Sequence, residues 1–514
     1  MRLWPHNEKE ASQWPLSPGS HWEVDDNGEY TLVVTSDSPK NGILNTFNLE
    51  LGDYVGYGVE ATCWLKGEDI SKPELGYLGT KFMMPHQVNG VTTWLSATDG
   101  LHGTYDWRKF SLSMMVVPGM EKASIQLGLQ AVSGTVRFRD LQVKLLPPEK
   151  VLNLPYVLPE NFRCEYSETI KSRPVMRGAM ACDPRWLNMA DMKELASWGG
   201  NLVRWQFQPP RSVDPAVYNK ELDESIDKVI ALAPEFQKLG MMIVFDMHCP
   251  PGGRFGEPSV LGTAGKLAEL DGSVCMRIFQ DKFYLDQFVG AWKHIATRLK
   301  DCPIIWGYDL VNEPSNGGQK PKFNYLATQY AAACAIREVD DETPVIVEAD
   351  EWANPNSFGY LVPLPLKNVF YTFHFYMPGE YTHQGAQAAQ LEDIRAGKVK
   401  MLKYPGEISG VYVDKDVLRG AMAPIADFQK KYGARIFCGE FSVIRWAPGA
   451  DQWLADVLSL FEEYGWDYTY HAFREWDGWS VEHDEDCKST QRVNYTTKRK
   501  QLLLDVFKKN QSVK

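Results

Sequence analysis

Two glutamates carry the first chemical signal in this chain. Glu313 lies in "WGYDLVNEPSNGG", where an apolar run reaches Asn312-Glu313-Pro314 and breaks into Ser, Asn and Gly, and Glu440 closes the apolar run "RIFCGEF". A given tripeptide turns up by chance in a chain of this length with a probability of roughly 6%, so context has to decide. The context is an ordered set of polar residues at the ends of apolar runs: Arg204 in "NLVRWQF", His248 in "MMIVFDMH", Asn312 with Glu313, His374 and Tyr376 in "NVFYTFHFY", Glu440, and Trp476 in "REWDGWS". Singly, a carboxylate in such a place is more often solvated or salt-bridged, and a histidine is more often structural. As a set they offer one carboxyl to protonate a leaving oxygen and another to attack the carbon it leaves, with an indole as an apolar floor; this is the chemistry of a sugar acetal. Arg204, flanked by Leu, Val, Trp and Phe, needs an anionic partner once buried. A catalytic carboxylate would be that partner. His374 and Tyr376 stand at i and i+2, so they project from one face of their strand.

Positioning such a set requires a scaffold that brings many strand ends together. Apolar strands begin near residues 175, 201, 241, 304, 344, 368, 435 and 466, and amphipathic helical patterns lie between or after most of them. Eight strands with helical crossovers predict an α/β fold, a (β/α)8 TIM barrel over 172–514, with chemistry at the C-terminal ends of its strands. The fifth helix is weak, because "EWANPNSFGYLVPLPLK" carries Pro and Gly. Residues 1–148 lack helical periodicity and read as short alternating strands, predicting an all-β sandwich or jelly roll. Between them, 149–171 is proline-rich and reads as a linker. The loops after the third and sixth strands are long enough to shape a cleft.

Net charge is −12, with 54 Lys and Arg against 66 Asp and Glu. No basic surplus exists to meet nucleic acid or an anionic membrane, and an uncharged ligand fits better. The nine cysteines never form C-x-x-C, so neither a zinc site nor a dense disulfide framework is indicated. No cofactor or metal is expected. A metal-dependent hydrolase using Asp246, His248 and His374 is the competing enzyme class, although no H-x-H pair ends the first strand. A non-catalytic sugar binder is the other alternative, disfavoured because both glutamates are present. The sequence starts without the apolar core of a signal peptide, so the expected location is extracellular if a leader was trimmed and cytoplasmic otherwise; the expected state is a monomer.

The motifs "NLVRW", "DMHCPPGG", "DLVNEP", "HFYMPGEYTHQG", "FCGEF" and "REWDGWS", in this order, make residues 172–510 resemble glycoside hydrolase family 5, a family of retaining glycosidases. The resemblance implies Glu313 as acid/base, Glu440 as nucleophile and Asn312 as the group that binds the sugar 2-hydroxyl. It also implies that Arg204 and Tyr376 orient Glu440, and that His248, His374 and Trp476 line the subsite of the reacting sugar. The expected substrate is β-1,4-linked glucan or its oligosaccharides, alternatively mannan, or chain ends in the manner of a β-glucosidase. The grounds for glucan are Trp205, Trp352, Trp446, Trp476 and Trp479 near strand ends, and Glu348, Asp350 and Glu351 would repel acidic polysaccharides. The N-terminal segment resembles carbohydrate-binding modules in fold, with Trp64, Trp94, Tyr105 and Trp107 as a conceivable platform or, more simply, as core.

Overall fold

A computed structural model describes residues 4–38, 42–88, 91–181, 188–208, 214–253, 276–316 and 321–511. Most of the long segment after the third barrel strand lies outside the described residues. The chain divides into two compact units, one built on residues 1–153 and one that carries the barrel.

The first unit is antiparallel throughout. One sheet runs Ser20–Val24, Tyr30–Ser36, Gly134–Leu146, Gly58–Ile70, Gly103–Met115; the other contains Gly42–Leu49, Met120–Gln130, His86–Val88 and Val91–Thr93, with Gly79–Met83 also pairing to Met120–Gln130. Gly58–Ile70 alternates buried and half-buried positions along its length, the period of a strand with one face on the core. That core includes Leu32, Val59, Leu65, Leu112, Ile125, Leu127 and Phe138. The four aromatics do not share one platform. Tyr105 is buried and hydrogen-bonds Thr80, Trp64 and Trp107 both face the Arg139 guanidinium, and Trp94 is exposed.

In the second unit eight parallel strands close into a barrel: β1 (Arg177–Ala181), β2 (Leu202–Gln206), β3 (Met242–Asp246), β4 (Ile305–Asp309), β5 (Val345–Glu348), β6 (Val369–Phe375), β7 (Arg435–Phe441) and β8 (Asp467–Tyr470), with β8 pairing back to β1. Nearly every strand residue is buried, because barrel side chains and helices cover both faces. Helices Met189–Ser197, Pro215–Leu239, Lys282–Leu299, Tyr325–Arg337, Lys415–Tyr432, Ala450–Tyr464 and Lys498–Phe507 fall where amphipathic patterns stood. Pro215–Leu239 shows why: Asp214 caps it by accepting from Ala216 N, Pro215 takes the first turn, and Gly240 closes it at φ 65°. The fifth crossover is short, as its Pro and Gly content predicts: Asp350–Ala353 and the 3-10 turn Pro355–Gly359. Within 149–171, residues 164–167 are pinned to the barrel. Cys164 N donates to Tyr432 O, Asn368 N donates to Glu165 O, and Ser167 N donates to Asn368 Oδ1, each at 2.8 Å. That length straps the N-terminal ends of the strands and is not a free spacer.

Two strand ends differ from the sequence reading. The β4 ladder stops at Asp309, four residues before Glu313, so Pro314 does not terminate the strand. The β8 ladder stops at Tyr470, which makes His471, not Trp476, the first residue beyond it. The aromatic run continues past the end of the regular ladder, and composition does not mark where that ladder ends.

Candidate active site

Arg204 organises the C-terminal mouth of the barrel. It is fully buried near the end of β2 and reaches four carboxylates from four other strands: Nε to Asp309 Oδ2 at 2.8 Å, Nη1 to Glu440 Oε1 at 2.8 Å, Nη2 to Glu348 Oε1 at 2.8 Å, and Nη2 to Asp246 Oδ1 at 3.1 Å. Nη2 also donates to Asn312 Oδ1 at 2.9 Å. The anionic partner expected from sequence is therefore four partners. Burial, with Asp246 nearby, pushes the Asp309 carboxyl up to about 6 despite Arg204, and burial with Asp309 and Asp246 raises Glu348 well above the carboxylate range.

Glu440, near the end of β7, behaves oppositely. Burial alone would raise its carboxyl, but His374, His471, Arg204 and His248 outweigh that and hold it well below the usual range. Its Oε2 accepts from the Tyr376 hydroxyl at 2.8 Å. Burial and Glu440 together keep the Tyr376 phenol protonated.

Glu313 faces this ionised carboxylate from the loop after β4. An oxygen of each glutamate and a ring nitrogen of His374 all lie within 4.8 Å of one another. His374 Nδ1 is 3.0 Å from Glu313 Oε1 and 3.7 Å from Glu440 Oε2, as the shared face of His374 and Tyr376 predicts. The Glu313 backbone has φ 49° and its N–H donates to Glu348 Oε2 at 2.7 Å. A left-handed non-glycine residue costs about 1–3 kcal/mol, and the buried Glu348 holds it there. Asn312 spends its Oδ1 on Arg204, while its buried Nδ2 has no partner among the described residues. His248 is buried, with Nδ1 2.9 Å from Asp246 Oδ2.

Sequence reasoning missed Asp246 as an Arg204 partner, Asp309, His471 and the internal role of Glu348. The available signal was an acidic residue as the last position of a wholly buried strand, which requires a cation nearby. Glu348 is fully buried under the site, so it forms no acidic rim. Trp205 and Trp446 are buried too and offer no face to a sugar; Trp352 is 41% exposed. Trp476 stands further out than expected: it packs edge-on against Trp479 and Trp446, and it lines a cleft of about 460 Å³ with Glu475, Asp477 and Arg492. Trp479 is the indole beside Tyr376, with His383 of the loop after β6 packed against both. Asp246, Asp309 and Glu348 have the spacing of a metal site, but the Arg204 guanidinium is the cation they hold. Asp246 is thus committed to Arg204 and His248, and among the described residues the ligand atoms of Asp246, His248 and His374 do not converge as a set.

A family model described as cellulase (glycosyl hydrolase family 5) matches residues 170–480. The chain belongs to glycosyl hydrolase family 5. It is a glycoside hydrolase of that family, and the match spans all but the last helix of the barrel. Among curated relatives, endoglucanase C of Acetivibrio thermocellus is 24% identical over 331 residues, covering 60% of this chain and 90% of that protein. Cellodextrinase A of Ruminococcus flavefaciens is 24% identical over 325 residues, covering 60% of this chain and 88% of that protein. A crystal structure of a glycoside hydrolase shares the fold at a TM-score of 0.50 and 23% identity, covering 64% of this chain and 99% of that one. No helix among the described residues is long and apolar enough to cross a membrane.

Proposed function

We propose that this family 5 barrel hydrolyses β-1,4-linked glucan or gluco-oligosaccharides with retention, Glu440 acting as nucleophile and Glu313 as acid/base. The observation that carries the reading is the pairing of two carboxyls within 4.8 Å, one of them held ionised by buried cations and the Tyr376 hydroxyl. Retaining enzymes place their carboxyls ~5 to 5.5 Å apart, because the second must itself reach the anomeric carbon. The ionised Glu440 attacks that carbon while Glu313 gives its proton to the departing oxygen. Glu313 then draws a proton from water, and the resulting hydroxide displaces Glu440. Asn312 Nδ2, buried and without a partner among the described residues, supplies a donor for the 2-hydroxyl of the reacting sugar. His374 holds Glu313 toward the shared site. The similarity to an endoglucanase and a cellodextrinase supports glucan as the substrate, and the half-buried Trp476 and exposed Trp352 are the aromatic faces left for stacking.

Proton NMR of the first-formed product tests the mechanism. A β-linked oligosaccharide is expected to release the β-anomer first; an α-anomer first contradicts the pairing of these two glutamates. Glu313→Gln should then separate substrates by leaving group. Aryl glycosides with very acidic phenols need no proton and keep most of their glycosylation rate, with azide rescuing the second step. Ordinary oligosaccharides lose ~10²-fold or more. Equal losses on both kinds of substrate remove Glu313 from the acid role. On cello- and manno-oligosaccharides, a mannan preference in kcat/KM above tenfold, about 1.4 kcal/mol of transition-state preference, overturns the choice of glucan.

A further inference from the structure

His471 follows directly on β8 and lies among three groups of the site. Its Nδ1 is 2.5 Å from the Tyr376 hydroxyl oxygen and 3.7 Å from Glu440 Oε2, and its Nε2 is 3.6 Å from Glu475 Oε2. Glu475 is itself held, since Gln206 Nε2 donates to its Oε2 at 2.9 Å. The Tyr376 hydroxyl has one proton, and its 2.8 Å contact to Glu440 aims that proton at the carboxylate. The phenol oxygen can therefore only accept from His471, which must carry hydrogen on Nδ1; facing the Glu475 carboxylate, it carries one on Nε2 as well.

The geometry points to His471 as a positioning residue for the nucleophile: as an imidazolium clamped by Glu475, it fixes the Tyr376 hydroxyl to donate to Glu440 and adds a second positive charge beside that carboxylate. The inference rests on the reading of Glu440 as nucleophile. The titratable groups facing the ring are Glu440 on β7, Tyr376 and His383 after β6, Glu475 after β8, and Glu313 after β4, with the Trp479 ring packed alongside. Burial would strip the proton from His471, but Glu440, Glu475 and Glu313 outweigh it and raise the imidazole above its ordinary value. A group raised in this way holds its charge at low pH and loses it as pH climbs through the raised value. The support it gives Glu440 therefore disappears on the alkaline side. An acid/base such as Glu313 produces an alkaline fall in ordinary turnover as well, so the two have to be separated by a step that needs no proton.

The separating probe is 2,4-dinitrophenyl 2-deoxy-2-fluoro-β-cellobioside, applied to the full chain. Glu440 attacks its anomeric carbon, the glycosidic bond breaks, and dinitrophenolate leaves with the electron pair, requiring no proton from Glu313. The rate of covalent labelling is followed by intact mass from pH 5 to 9, and the labelled residue is mapped. In the parent protein labelling still falls at alkaline pH. In His471→Asn, whose amide can donate to Tyr376 without charge, the plateau drops roughly tenfold, the order of effect of losing one opposite charge beside a carboxylate, and the alkaline fall disappears. In Glu475→Gln the fall remains and begins at lower pH, because the carboxylate that raised His471 is gone. Ionisation of Glu313 is common to all three proteins, so disappearance of the fall in His471→Asn assigns it to the imidazole. A parent rate flat to pH 9, or a His471→Asn variant that keeps the parent's fall, overturns the proposal. Absence of label on Glu440 at every pH removes the nucleophile itself and the proposal with it.

Discussion

Glu440→Gln is expected to lower kcat by ~10⁴-fold or more while the melting temperature stays near that of the parent, because the amide fills the same volume without being able to form the glycosyl ester. The surroundings favour an intact fold. The amide that replaces the carboxylate can still offer its carbonyl oxygen to Arg204 Nη1, which now lies 2.8 Å from Glu440 Oε1, and three other carboxyl groups still surround that guanidinium. Steady-state hydrolysis of cello-oligosaccharides, with thermal unfolding alongside, checks both halves. Residual activity above ~1% of the parent, far more than a missing nucleophile leaves, shows that another group attacks the anomeric carbon.

Arg204→Met should affect stability more than any other single change at the mouth. Removing one partner of a buried ion pair costs about 3–5 kcal/mol, since the remaining charge stays desolvated, and here Asp246, Asp309, Glu348 and Glu440 would all lose their shared cation. Thermal melts at pH 7 are expected to show a loss of about 5 kcal/mol or more; a loss below ~1 kcal/mol would mean that Arg204 is no keystone. The pH dependence has a definite sign. Buried Asp309 already titrates near 6, above its ordinary 3.8, so its ionisation works against folding as pH rises through that interval. Without Arg204 the buried carboxyls shift further up and are protonated over more of the acid range. The stability gap between parent and variant should therefore narrow from pH 7 to pH 5. Arg204→Lys guards against a variant that fails to fold: a single ammonium does not span the fork that serves Asp309, Glu440 and Glu348, so it should recover only part of the loss.

Reading site residues from sequence depends on how much of their role is local. His374 is in β6 and Tyr376 directly follows that strand, two positions on, so a period of two was enough to place them together, and both reach Glu440. The same period, applied to β2, would have excluded Trp205: with Arg204 pointing into the barrel, its neighbour points out, and Trp205 packs against Phe236 of the following helix. His471 was legible in type but hidden in position, because "YTYHAFREW" stays aromatic beyond the last paired residue, Tyr470.

By itself the sequence determined the eight-strand barrel, the antiparallel β-rich unit ahead of it, and the residue types that make a sugar-cleaving site, because strands buried on both faces, one-sided strands and amphipathic helices each leave a pattern within a dozen residues. The tertiary structure decided which charges meet. Arg204 finds Asp246, Asp309, Glu348 and Glu440 across separations from 42 to 236 residues, and it is the positive charges gathered there, not any local pattern, that keep Glu440 ionised against its burial while burial pushes Glu348 the other way. Electrostatic energy in a low-dielectric interior depends on distance through space, and barrel closure sets that distance.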